Sequence, residues 1–226
     1  MKTSSEIIAA QHVTKIYGKG ESLFTALEDV NFSIKQGESV AILGKSGSGK
    51  STLMHLLALM DEPTQGVIAI EGDDAARLSG KKLDQLRNSA FGFVFQQFFL
   101  NGNVSVLENV ILPLKIAGVG SRERKRRGME VLRAVELEEK AKSKANDLSG
   151  GQKQRAVIAR ALINKPQIIF ADEPTGNLDS ATGRKVEDIL FKLNKEQGIT
   201  LIVVTHDEEL ADRCSRRIQI KDGRLV

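Results

Sequence analysis

Apolar positions fall in short runs along this chain, and the period of the runs changes from one to the next. Residues 7–16 read as a strand. Residues 26–34 alternate in part, through Leu27, Val30, Phe32 and Ile34, and predict a second. Gly37 turns the chain into a continuous apolar run, Val40 to Leu43. Leu53, Leu56, Leu57 and Met60 then repeat at helical spacing, so strand, glycine-rich turn and helix follow one another. Pro63-Thr-Gln-Gly66 is a turn, and residues 67–70 predict another short strand. A helix is expected over 81–88. Phe91-Gly-Phe-Val-Phe95 reads as a buried strand, from its unbroken apolar character and aromatics.

The pattern then changes. Residues 105–116 and 121–137 both have helical character, and no strand-like run occurs from about 100 to 166. This block is expected to be a helical subdomain inserted into an α/β core, the core being about 1–99 and 167–226. It resumes with Ile168-Ile-Phe-Ala171, a strand of the parallel-sheet kind. Ser180 is the expected N-cap of a helix running to Gln197. Residues 200–204 predict a further apolar strand, and a helix is expected from Asp207 to Cys214. Arg217-Ile-Gln-Ile-Lys221 and the residues from Arg224 onward, joined by Asp222-Gly223, predict a hairpin. No repeat, low-complexity segment or linker divides the chain.

Composition narrows the class. At 226 residues, 41% hydrophobic and 27% charged, the chain has the make-up of one large soluble domain, or of one domain with an insertion. No apolar run approaches the roughly 20 residues that span a bilayer. The opening Met1-Lys-Thr-Ser-Ser-Glu6 lacks the apolar core of a signal peptide. A cytoplasmic protein is expected, at a membrane only if a partner holds it there. Cys214 is the single cysteine, which excludes an internal disulfide and predicts a small semi-buried side chain. The net charge of +4 suits an anionic ligand or membrane surface, but it is not the footprint of a nucleic-acid binder. The densest basic run, Arg122 to Arg127, predicts a solvated helix face, with contact to lipid headgroups as the alternative.

Candidate chemistry begins at Gly44, where Gly44 to Ser51 fits G-x-x-x-x-G-K-[ST] between a strand and a helix. Glycines let a backbone curl so that its N–H groups face phosphate oxygens, and a helix start adds partial positive charge. Gly44, Ser46, Gly47, Ser48, Gly49, Lys50, Ser51 and Thr52 are therefore the phosphate-binding candidates. Lys50 can reach the β- and γ-phosphates, and the Ser51 hydroxyl can ligate Mg²⁺. A Rossmann site is disfavoured, because Gly47-x-Gly49 lacks the third glycine. Asp172 and Glu173 end the 168–171 strand. Asp172 can hold Mg²⁺, and Glu173, one residue on, can polarise a water for attack on a γ-phosphate. Leu148-Ser149-Gly150-Gly151-Gln152 precedes a helix carrying Val157, Ile158, Ala161 and Leu162 on one face, which makes a second phosphate-binding helix start.

Leu148 to Gln152 matches the signature sequence of ABC-type ATPases letter for letter, and Lys153-Gln-Arg155 also fits. With the phosphate loop and the Asp172-Glu173 strand, three motifs stand in that family's order, and the resemblance covers nearly the whole chain. It implies a P-loop NTPase (RecA-like) α/β core with a mixed or parallel sheet, an N-terminal antiparallel β subdomain and an inserted α-helical subdomain. By the same resemblance Tyr17 stacks on adenine, and Gln96 (with Gln97 beside it) meets Mg²⁺ and relays to the membrane partner. Asp179 of Gly176-Asn-Leu-Asp179 crosses a dimer interface, and His206 contacts the γ-phosphate. His12 and His55 are left structural.

The resemblance also implies a head-to-tail homodimer, in which the phosphate loop of one chain and Ser149, Gly150, Gly151 and Gln152 of the other sandwich each ATP. Hydrolysis then rests on Glu173, Mg²⁺, Lys50 and His206. Asp172-Glu-Pro-Thr-Gly-Asn-Leu-Asp179, Phe93-Val-Phe-Gln96-Gln-Phe98, Leu107-Glu-Asn-Val110 and Thr205-His-Asp207 are similar to the MacB, LolD and FtsE group, whose ATPases drive a separately encoded integral-membrane permease. Such a subunit lies on the inner face of the cell membrane. Lys45 departs from a common proline at a variable position, and Leu100-Asn-Gly-Asn103 lacks a proline often seen there. Phe98, Phe99 and Leu100 are candidates for a permease-docking surface. The alternative from another class is a soluble ABC ATPase acting on DNA or ribosomes. A P-loop kinase or GTPase would leave Leu148 to Gln152 unexplained.

Overall fold

The computed structural model describes residues 6–226. Met1 to Ser5, on which the expectation about a leader rests, lies outside the described residues. In chain order the elements are β1 (Glu6–Tyr17), β2 (Phe24–Lys35), β3 (Ser39–Leu43), α1 (Lys50–Leu57), β4 (Gln65–Ile70), β5 (Asp73–Asp74), α2 (Gly80–Ala90) and β6 (Phe91–Phe95). Then come α3 (Val106–Val110), α4 (Leu112–Ile116), α5 (Ser121–Ala134), α6 (Gly150–Leu162), β7 (Ile168–Asp172), α7 (Ser180–Gln197), β8 (Thr200–Val204), α8 (Glu208–Asp212), β9 (Arg216–Lys221) and β10 (Arg224–Leu225). The chain forms two compact units: one of residues up to Asp84 with Thr200–Val226, the other of Gln85–Ile199.

In the first unit, β2-β1-β4-β5 form an antiparallel sheet. The merely partial alternation in β2 has a structural cause in its pairing with β1. The register shifts between Ala10 and Val13, where His12 takes a left-handed backbone (φ +52°) and donates its N–H to the Asn31 side chain at 2.7 Å. His12 is thus a bulge residue, with its side chain in solvent. The same unit holds β3 between β8 and β9, all parallel, with Val40 opposite Ile202 and Ile42 opposite both Val204 and Ile218. β3 and β8 are buried along their whole length, as strands covered on both faces must be. Ser39 is satisfied there by Ser215, whose Oγ donates to the Ser39 carbonyl at 2.7 Å. Helix α1 buries Leu53, Met54, Leu56 and Leu57. Met60 does not continue that face: the helix ends at Leu57, Leu59 turns left-handed, and Met60 is exposed.

In the second unit, β6 and β7 pair in parallel from Phe91 with Ile168 to Phe95 with Asp172. Phe91, Phe93 and Phe170 pack ring to ring across the pair. The central helix is α6. Val157, Ile158, Ala161 and Leu162 are buried as the periodicity predicts, but so are Gln154, Ala156 and Ala159, because β6, α3, α5 and α7 all pack on this helix. The 100–166 block holds helices and turns, plus an isolated bridge between Ser105 and Lys144. The helix expected over 105–116 is two. Pro113, which has no N–H to donate, sits in the first turn of α4 and restarts the helix there. Helix α5 stops at Ala134, short of Leu137, with Glu136 left-handed.

The basic run on α5 only partly matches its expected solvated face. Arg122, Lys125 and Arg126 are exposed, and Arg126 pairs with Glu123 and Glu130. Arg124 and Arg127 are half-buried and donate to the carbonyls of Val119 and Ile163, so these two cations anchor the helix. No helix of the described residues is long and apolar enough to cross a membrane.

Candidate nucleotide site

The loop between β3 and α1 is a backbone cradle. Its shape requires glycine: at Gly49 φ is +106°, and a Cβ would lie 2.6 Å from the Ala26 carbonyl oxygen. At Gly44 φ is +155°, and a Cβ would lie 2.3 Å from the Ile220 oxygen. The turn after β9 braces the loop from outside, through Gly223 N–H to the Ser48 carbonyl at 3.0 Å. No side chain caps α1, so its first N–H groups are left for an anion. Ser48 is only 6% exposed, and its Oγ has no hydrogen-bond partner. Lys50 Nζ lies across the cradle, donating to the carbonyls of Gly44 (2.8 Å) and Lys45 (3.0 Å). A cavity of about 270 Å³ opens on Ser46, Gly47 and Gly49 and on Lys50, Ser51 and Thr52, walled by Phe24 and Ala26 of β2.

Tyr17 and His206 belong to the same unit as the cradle. The Tyr17 hydroxyl donates to Asp61 at 2.8 Å, and Lys15 reaches both Asp61 (2.7 Å) and the Tyr17 ring (4.8 Å to its centroid). Burial, then the bond to Asp61, pushes the Tyr17 hydroxyl above its ordinary value, which keeps it neutral. For Asp61 burial acts upward, but bonds from Lys15, Tyr17 and the Glu62 N–H outweigh it and hold the carboxyl below its usual range. His206 follows β8. Thr205 donates its N–H to Ile42 of β3 at 3.2 Å, and Asp207 caps α8 through the Glu209 and Leu210 N–H groups. That fixes His206 at the same end of the parallel strands as the cradle, where α/β proteins bind ligands.

The second unit groups the remaining candidates. Phe95 and Asp172 are paired, so Gln96 and Glu173 emerge side by side from β6 and β7. Gln96 is held by Asn177, which donates to the Gln96 carbonyl (2.9 Å) and accepts from Gln96 Nε2 (3.3 Å). Glu173 has φ +44°, a left-handed conformation that costs a non-glycine residue about 1–3 kcal/mol and persists only where the surroundings fix it. Such strain is common where a side chain must be aimed.

Ser149 caps α6 in a reciprocal box with Gln152: Gln152 N–H to Ser149 Oγ (3.3 Å), Ser149 N–H to Gln152 Oε1 (3.0 Å). A Cβ on Gly151 would meet Thr182 Cγ2 at 2.3 Å, so any side chain there would have to displace the Thr182 methyl where the starts of α6 and α7 meet. The N-cap of α7 is Asp179, which accepts from Thr182 N–H at 3.0 Å, and Ser180 is the first helical residue. A carboxylate caps better here because it meets both the orphan N–H and the positive helix end. The bonds from Thr182 hold the Asp179 carboxyl below its usual range. Leu148, Gly150 and Gly151 complete this corner.

Sequence reasoning missed Phe24 and the Lys15–Asp61 support of Tyr17, and took Gln154 only as part of the run that fits the signature, without its contacts. The last had a visible signal, an amide at i−3, i−4 and i−7 from apolar residues of its own helix. Of the proposed docking residues only Phe99 is strongly exposed, at 63%, while Phe98 and Leu100 are half-buried. Phe99 is left-handed, stands on Phe95, and is presented by Arg160, which donates to the carbonyls of Phe98 (3.0 Å) and Phe99 (2.7 Å).

Comparison with known proteins supplies independent findings. A family model described as ABC transporter matches residues 27–176. The chain is 48% identical over 225 residues to an uncharacterized ABC transporter ATP-binding protein of Thermotoga maritima, covering 100% of this chain and 94% of that one. It is 44% identical to the lipoprotein-releasing system ATP-binding protein LolD of Aquifex aeolicus, over 98% of this chain and 97% of that one. Among solved structures it resembles the dimeric post-hydrolysis state of the ATP-binding cassette MJ0796, a Methanocaldococcus jannaschii protein, bound to ADP and Pi. There the TM-score is 0.88 at 46% identity, with 96% of each chain covered.

Proposed function

Because this chain belongs to the ABC transporter family, with the cassette fold of its ATP-binding subunits, we propose that two copies clamp ATP head to tail and so drive a separately encoded integral-membrane permease. The protein is an ATPase of ABC transport, and ATP and Mg²⁺ are its cofactors. The similar proteins are named as transporter components, and nothing among them favours the DNA- or ribosome-acting alternative. The observation that carries the reading is the cradle at Gly44–Thr52, with an orphaned buried Ser48 hydroxyl and uncapped helix N–H groups.

In this reading the loop N–H groups and Lys50 hold the β- and γ-phosphates, and Tyr17 stacks on the adenine. Ser51, Asp172 and Gln96 would hold Mg²⁺. The donor types suit that ion: a hydroxyl, a carboxylate and an amide oxygen are the hard oxygen ligands it prefers. Mg²⁺ is characteristically bound through one or two carboxylates, here that of Asp172, and leans on nucleotide phosphates and water. When bound it neutralises charge developing between the β- and γ-phosphates. Glu173 orients and deprotonates the attacking water, and His206 donates to the γ-phosphate. Ser149 to Gln152 present helix N–H groups to the nucleotide of the second copy, and Asp179 reaches across the interface. The 100–166 block serves as the inserted helical subdomain. The chain's likeness to the MacB, LolD and FtsE group suits export, lipoprotein extraction or mechanotransmission.

Peripheral attachment at the inner face of the membrane follows from permease docking, which we assign to Phe99 and the loop that Arg160 holds. Copurification from native membranes should recover an integral-membrane partner. Phe99→Glu should weaken that recovery by about thirtyfold, the effect of losing an anchor worth about 2 kcal/mol, without changing ATP affinity. Undiminished recovery would move docking elsewhere.

A further inference from the structure

Gln154 is fully buried on α6, two residues beyond the Ser149–Gln152 corner. Its Nε2 lies 2.7 Å from the Pro174 carbonyl oxygen and 3.4 Å from that of Phe95. Both are acceptors, so the amide must turn its nitrogen toward them. That choice strands Oε1, which is buried with no hydrogen-bond partner. An unpartnered buried oxygen is destabilising, and a methionine or leucine would fill the same space without it. Core packing therefore does not explain the amide, whereas its two acceptors do.

Pro174 follows Glu173, and Phe95 precedes Gln96. One side chain from α6 thus grips the Pro174–Thr175 peptide group, one residue beyond Glu173, and the peptide group just before Gln96. The left-handed Glu173 needs such fixing. Its own carbonyl is held by the Gly176 N–H at 3.1 Å, and the next carbonyl by Gln154. Without Gln154 the second of these restraints is gone, and the turn can relax toward an ordinary backbone, re-aiming the carboxylate.

We propose that Gln154 is a positioning residue for hydrolysis: it ties the aim of Glu173, and the exit of Gln96 from β6, to the helix that begins with Ser149. The proposal rests on the reading of Glu173 as the base. It makes the carboxylate follow α6, the element whose first turn faces the nucleotide of the second copy.

The test is a double-mutant cycle on the full-length protein. Wild type, Gln154→Met, Glu173→Gln and the double variant are compared by steady-state turnover over a range of ATP concentrations and by single-turnover hydrolysis of bound ATP. Gln154→Met should lower kcat roughly tenfold to hundredfold, as a misplaced reacting group does, with KM for ATP within about threefold of wild type. In the Glu173→Gln background, where there is no base left to aim, the same change should cost nothing further. An equal loss in both backgrounds, or a loss confined to KM, overturns the proposal. Wild-type hydrolysis by Glu173→Gln alone would instead overturn the base assignment. If Gln154→Met does not fold, the isosteric Gln154→Glu, which turns an oxygen toward the two carbonyls, goes through the same cycle under the same criterion.

Discussion

Glu173→Gln is expected to bind ATP with unchanged affinity and to hydrolyse it about 10²–10⁴-fold more slowly, the range that general-base catalysis contributes. The carboxamide matches the carboxylate in size and can take the same left-handed backbone, so the turn closed by the Gly176 N–H should survive. What it cannot do is accept the proton of the attacking water. The consequence extends beyond one chain. If ATP is the material that joins two copies, a variant that binds without hydrolysing should accumulate as a dimer when ATP is added. Phosphate release and size-exclusion chromatography read the two effects together. Normal steady-state hydrolysis by this variant would remove Glu173 from the base role.

Lys50→Ala is expected to lose nucleotide affinity instead. Hydrogen bonds to charged groups are worth about 1.5–3 kcal/mol, so ATP should bind roughly tenfold to more than a hundredfold more weakly. The fold should be little disturbed, because the ammonium makes only carbonyl contacts within its own loop. On the proposed reading, the ammonium would exchange those carbonyls for phosphate oxygens when nucleotide binds. Calorimetric titration measures the loss, and an unchanged dissociation constant would count against the cradle as the phosphate site.

What the sequence made legible was local. The cradle at Gly44–Ser51, the capped corner at Ser149–Gln152 and the acidic end of β7 are contiguous peptides, and their chemistry resides largely in their own backbone, so motif and spacing suffice. Strands buried on both faces were legible for a similar reason: β8 lies at Thr200–Val204, where its apolar run predicts it. The rest depended on residues distant in sequence. Gln154 acquires its meaning from carbonyls 59 and 20 residues away, Asn177 from Gln96 81 residues away, and Tyr17 from Asp61 44 residues away. Periodicity carries no information about such pairs. Element ends failed where competing local chemistry decided them: Pro113 split a helix, Leu59 turned the chain before Met60, and Asp179 out-competed Ser180 as a cap.

The central claim is that each ATP is held by the loop of one copy and the Ser149 corner of the other. Cross-linking reads it most directly. The one native thiol, Cys214, is half-buried, and burial, against a smaller opposing effect of Arg213, pushes it up to about 12, so it will react poorly at neutral pH. One chain carrying Ser46→Cys and a second, of different mass, carrying Ser149→Cys, both with Glu173→Gln, are mixed and treated with a short bismaleimide. The account predicts a covalent pair of one chain of each kind, formed with ATP and Mg²⁺ and not without them. Absence of that pair in the presence of ATP, or its formation to the same extent without nucleotide, would contradict it.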